Sequence, residues 1–73
     1  MRSTYHIEAI RSDAGGACPR VLDRMIVRAA DLESVKRQAI LLFETARAPQ
    51  WSRPHAQALR VVDQMGVERF RCA

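Results

Sequence analysis

Three arginines, Arg60, Arg69 and Arg71, crowd the stretch LRVVDQMGVERFRC at 59–72, with only Asp63 and Glu68 to set against them. A guanidinium is a planar fork of donors that grips carboxylate or phosphate in pairs of hydrogen bonds. Arginine supplies eleven of the twelve basic residues, Lys36 being the exception, and the net charge is +4. A GC-rich coding sequence would produce the same bias. Taken as chemistry, the excess points to an anionic partner, either nucleic acid or an acidic protein.

Other reactive types are present without a pattern. His6, His55, Cys18 and Cys72 form no close Cys pair and no close His pair, so they do not have zinc-finger spacing. No nucleophile elbow, P-loop or dinucleotide fingerprint occurs, and Gly15-Gly16 reads as a turn. The carboxylates Glu8, Asp13, Asp23, Asp31, Glu33, Glu44, Asp63 and Glu68 are scattered. The expectation is a non-enzymatic protein with no catalytic residue, metal or cofactor. Binding of single-stranded nucleic acid needs aromatic platforms beside a basic groove. Of the aromatics, Tyr5 and Phe70 fall at core positions and Phe43 on the apolar stripe of the expected helix, which leaves Trp51 for stacking.

The elements that would hold the arginines follow from periodicity. Thr4–Arg11 alternates, with Tyr5, Ile7 and Ala9 on one side and His6, Glu8 and Ile10 on the other. The stretch SDAGGACPR at 12–20 is a loop, and Val21–Ala29 alternates again with Met25 and Val27 inward. A helix is expected from Leu32 to about Arg47. Asp31 caps it, Glu33 sits in its first turn, and Pro49 stops it. Its apolar stripe is Leu32, Val35, Ala39, Leu42, Phe43 and Ala46, and Glu33 can pair with Arg37. Trp51, between Pro49 and Pro54, is placed as a lid on one end of the core. Strands at Ala58–Val62 and Val67–Cys72 close the chain.

The turn at 63–66 decides where the last arginines point. A three-residue loop with a glycine bulge pairs Asp63 with Val67 and sets Val61 against Arg69. A four-residue loop pairs Val62 with Val67, Leu59 with Phe70 and Arg60 with Arg69. Slipping one residue exchanges the faces of a strand. The four-residue loop is favoured, because it gathers Leu59, Val61, Phe70 and Cys72 on one face. Arg60, Arg69 and Arg71 then lie on the other, joined by Arg24 and Arg28, with Glu8 placed to relieve their repulsion.

The order strand–strand–helix opened by Asp31-Leu32-Glu33–strand–strand, with Asp63 and Gly66 at the closing turn, resembles short, uncharacterised bacterial proteins of a domain-of-unknown-function family. The first loop is longer here and the final strand richer in arginine. The resemblance implies a fold and carries no activity or site.

The expected fold is thus α+β: residues 1–73 as one small domain, with a four-stranded, mainly antiparallel sheet in the order 2-1-3-4 and one helix on one face. Its expected role is a binding or interaction module. Weak nucleic-acid binding through Arg24, Arg28, Arg60, Arg69 and Arg71 is the alternative. A chain this short buries only about 60% of its unfolded surface, and exposed strand edges invite pairing, so a homodimer is expected. An edge or the outer helix face at Ile40 and Leu41 would carry it. The opening MRSTYHIEAIR lacks a signal peptide's apolar run, and the longest such run is Ala39 to Phe43. A cytoplasmic protein with free thiols and no membrane association is therefore expected.

Overall fold

Asp31 starts the helix as its residue type requires. Its Oδ1 accepts the Ser34 backbone N–H at 2.8 Å, satisfying one of the donors that a helix start leaves open. That bond, with help from the Ser34 hydroxyl, holds the Asp31 carboxyl below its ordinary pKa. The computed structural model describes residues 2–12, 19–45, 51 and 56–73. The helix, α1, is Leu32–Thr45. Its expected last turn with Ala46 and Arg47, the stop at Pro49, the Gly15-Gly16 loop, Cys18 and His55 lie outside the described residues. Glu33 pairs with Lys36, at 3.1 Å, rather than with Arg37. Lys36 in turn lies over the Phe70 ring, 5.5 Å from its centroid.

Four strands complete the fold: β1 Ser3–Arg11, β2 Arg20–Ala29, β3 Ala58–Asp63 and β4 Glu68–Cys72. They form one antiparallel sheet in the order β2-β1-β3-β4, an α+β fold with the expected strand order. Alternation sorts the sheet into two faces. Ile7 and Ala9 of β1, with Leu59 and Val61 of β3, meet Val35 and Ala39 of α1 in the buried core. Ile7, Val35, Leu59 and Val61 are essentially inaccessible. Each such side chain stabilises the fold by about 1.5–3 kcal/mol, and Leu59→Ala would cost about 2–5 kcal/mol.

Trp51 belongs to this core. It is 6% exposed, and its Nε1–H donates to Asp23 Oδ2 at 3.1 Å. Opposite Ala9 and Ile10, β2 accommodates an extra residue: Asp23 pairs with Ala9 and Val21 with Ile10, so Leu22 is set out of the ladder.

The closing hairpin departs from the expected register. Asp63 N–H donates to the Val67 carbonyl and Gly66 N–H to the Asp63 carbonyl, both at 3.0 Å, and Gly66 has φ +81°. The turn is therefore the three-residue loop with a left-handed glycine. Asp63 Oδ1 also accepts the Met65 and Val67 amides at 2.8 and 3.0 Å. Those bonds need a short acceptor reaching back over the turn, which aspartate supplies. The ladder then shifts. Val62 pairs with Glu68 but Val61 pairs with Phe70, so Arg69 is an unpaired extra residue. This second irregularity returns Phe70 and Cys72 to the core side, opposite Val61 and Leu59. Arg60 faces Arg71, not Arg69.

Candidate functional site

One sheet face carries α1. The other brings Glu8 into a cross-strand row with three arginines: Arg24 on β2, Glu8 on β1, Arg60 on β3 and Arg71 on β4. The next row is Ile26, His6, Val62 and Glu68, and beyond it Arg28 pairs with Thr4. Arg24, Arg28, Arg60 and Arg71 thus share the face on which sequence placed them. Arg69 does not join the row. It lines a shallow cleft of about 190 Å³ with Tyr5, Thr4 and Asp63, and its Nη1 lies 3.8 Å from Asp63 Oδ2.

Glu8 is the centre of this face. It is 3% exposed, the only charged residue among the buried ones described. Oε1 accepts the Nε–H of Arg60 at 2.6 Å and Oε2 the Nε–H of Arg24 at 2.7 Å. Burial acts to raise its pKa and is the largest single influence. The hydrogen bonds and charges of Arg60 and Arg24 together outweigh it, so the carboxyl is held below its ordinary range. The cover over Glu8 is thin, since the Arg24 side chain is 54% exposed and that of Arg60 24%.

Each guanidinium is held through Nε alone. Arginine carries five N–H donors, so the Nη ends of Arg24 and Arg60 remain as donors while Glu8 fixes their planes. Arg71 is used differently. Its Nη2 and Nε both bond Glu68, at 2.6 and 3.3 Å, which raises the Arg71 pKa. Arg28 makes no ion pair among the described residues.

The apolar residues on this face, Ile10, Ile26 and Val62, divide sharply. Ile10 is 2% exposed and Val62 9%, whereas Ile26 is 68% exposed. Only Ile26 of the three is available for contact. On the far side of α1, Ile40 and Leu41 are exposed, as expected for the outer helix.

Among the described residues no three His, Cys, Asp or Glu side chains gather as a metal site, and no helix is long and apolar enough to cross a membrane. Cys72 is a free, half-buried thiol, and burial pushes its pKa up. That makes it a poor nucleophile, because reactivity follows the thiolate. Two features escaped sequence reasoning. Asp23 is the acceptor for Trp51, and Arg69 leaves the arginine row. Neither has a local signal, since one depends on a residue distant in sequence and the other on a bulge. No protein-family model matches the chain, and neither a curated protein nor a solved structure matches it significantly.

Proposed function

We propose that this chain is a non-catalytic interaction module whose recognition surface is the sheet face opposite the helix. The supporting observation is the buried Glu8, which holds Arg24 and Arg60 in place by their Nε atoms beside the exposed Ile26. Burying a carboxylate is costly, and here the cost is offset by Arg24 and Arg60, whose guanidinium groups are thereby held on this face. The proposal includes a cytoplasmic location and kinship with the short family of ββαββ proteins that the sequence resembles. It also includes a two-fold homodimer through a strand edge or through Ile40 and Leu41, leaving the arginine face open.

A second reading is a weak nucleic-acid binder on the same face, favoured by the net charge of +4 and by Arg28. The pairing of Arg24 and Arg60 to Glu8 and of Arg71 to Glu68 lowers the net charge that any anionic partner of this face meets.

A photo-crosslinking amino acid at Ile26, introduced into the protein in its own cell, tests the main reading. A discrete protein adduct from position 26 is the expected result. Irradiation that yields no adduct from position 26, with the protein folded and abundant, would contradict it.

A further inference from the structure

We infer that the sheet face opposite the helix docks an acidic polypeptide segment carrying an apolar residue between its carboxylates. This rests on the proposal that this face is the recognition surface, and adds the chemistry of its partner.

The first ground is charge. Arg24, Arg28, Arg60 and Arg71 share the face with Glu8 and Glu68, so it stays positive after its internal pairs are counted. A second copy of the same face would bring like charges together, which opposes sheet-face pairing between copies. A carboxylate-bearing partner is complementary.

The second ground is geometry. Glu8 takes one Nε from each neighbouring arginine, and the Nη1 and Nη2 of each remain as an end-on pair of donors. Such an edge matches the two oxygens of a carboxylate. The guanidinium planes are already held, so little ordering is left for binding to supply.

The third ground is the apolar residue. Ile26 stands between Arg24 and Arg28 along β2 and is 68% exposed. Residues two apart on a strand lie on one side, about 6.5–7 Å apart. The track Arg24–Ile26–Arg28 therefore fits a segment presenting acid, apolar and acid groups at that spacing. A nucleic acid covers an apolar side chain only by turning a base or sugar onto it. Tyr5 and Phe70 pack on the helix side and Trp51 is buried, so this face has no aromatic platform for bases.

The test titrates the labelled, full-length protein at about 50 mM salt with three probes, followed residue by residue by NMR. The probes are a short blocked peptide alternating glutamate and leucine, an oligoglutamate of equal charge, and a single-stranded oligonucleotide. The expected result is saturable binding of the alternating peptide, with shifts at Ile26, Arg28 and the Nε–H signals of Arg24 and Arg60. Its affinity should exceed that of oligoglutamate and should fall about tenfold or more in Ile26→Glu and in Arg28→Glu, both exposed positions that leave the core intact. Tighter binding of the oligonucleotide at the same residues would overturn the inference while leaving the face a recognition surface. So would an alternating peptide that binds no better than oligoglutamate, or that ignores Ile26→Glu. A face unmoved by all three probes would count against both the inference and the proposed function.

Discussion

Replacing Glu8 should cost the domain far more than replacing any exposed carboxylate. Glu8→Ala removes two charge-assisted hydrogen bonds, to Arg60 at 2.6 Å and Arg24 at 2.7 Å. A hydrogen bond to a charged group contributes about 1.5–3 kcal/mol net. Removing a partner from a fully buried ion pair costs about 3–5 kcal/mol. Here the released arginines are part exposed and can turn to water, which lowers the cost. Arg60, at 24% side-chain exposure, keeps most of its value, whereas Arg24, at 54%, keeps less. The working figure is about 2–3 kcal/mol. For a domain of this size that is a fall in Tm of roughly 10–20 °C.

Urea unfolding at neutral pH, followed by circular dichroism, measures this cost directly. The pH dependence gives a second check. The Glu8 carboxyl has a lowered pKa in the fold, so the unfolded chain takes up the proton first as pH falls. The stabilisation is complete above the ordinary glutamate value of about 4.3. It is lost as pH falls through the lower folded value. The gap between wild type and Glu8→Ala should therefore close on acidification below about pH 4. A neutral-pH loss under about 0.5 kcal/mol, or a gap that persists in strong acid, would refute the argument that the arginines stabilise a buried charge.

Three further outcomes follow. Gly66→Ala should destabilise by about 1–2 kcal/mol through backbone strain alone, because φ is +81° and a Cβ there would meet nothing within 4 Å; Gly66→Asn should cost less, and equal costs in urea melts would point to a steric cause instead. Trp51→Ala should cost about 3 kcal/mol or more, and emission from this single tryptophan should move to longer wavelength only with the global transition, since an earlier shift would show that Trp51 leaves the core by itself. In sedimentation equilibrium the chain should exceed its monomer mass of 8.3 kDa at high concentration and return to it in Leu41→Glu, whereas a dimer untouched by that change would move the contact to a strand edge.

The two faces of the sheet were legible because period-two alternation in β1, β2 and β3 is uninterrupted where it matters. Tyr5, Ile7, Met25, Val27, Leu59 and Val61 all take the helix side. Asp31 and Gly66 were legible because caps and left-handed turns accept few residue types. The hairpin register was not. In an unbroken ladder a three-residue loop would send Arg69 into the core. The fold uses that loop and then sets Arg69 outside the ladder, so both the turn and the apolar face are satisfied. Bulges at Leu22 and Arg69 leave no signature in a single sequence. The site was half legible. Glu8 was placed among the arginines, but its burial and its hold on two Nε atoms depend on the sheet order, with β1 between β2 and β3. Glu33 pairs with Lys36, which also lies over the Phe70 ring, while the charge of Arg37 acts on Asp31.

The most direct measurement of the central claim is hydrogen exchange at the arginine side chains, read from their Nε–H signals by NMR. Glu8 binding both guanidiniums through Nε predicts two protected, shifted Nε–H signals, assigned to Arg24 and Arg60, and the loss of at least one of them in Glu8→Gln, which keeps a single acceptor oxygen, with the backbone spectrum otherwise preserved. Nε–H protons of Arg24 and Arg60 that exchange at the rate of free arginine, or that both stay protected with their shifts unchanged in Glu8→Gln, would contradict it.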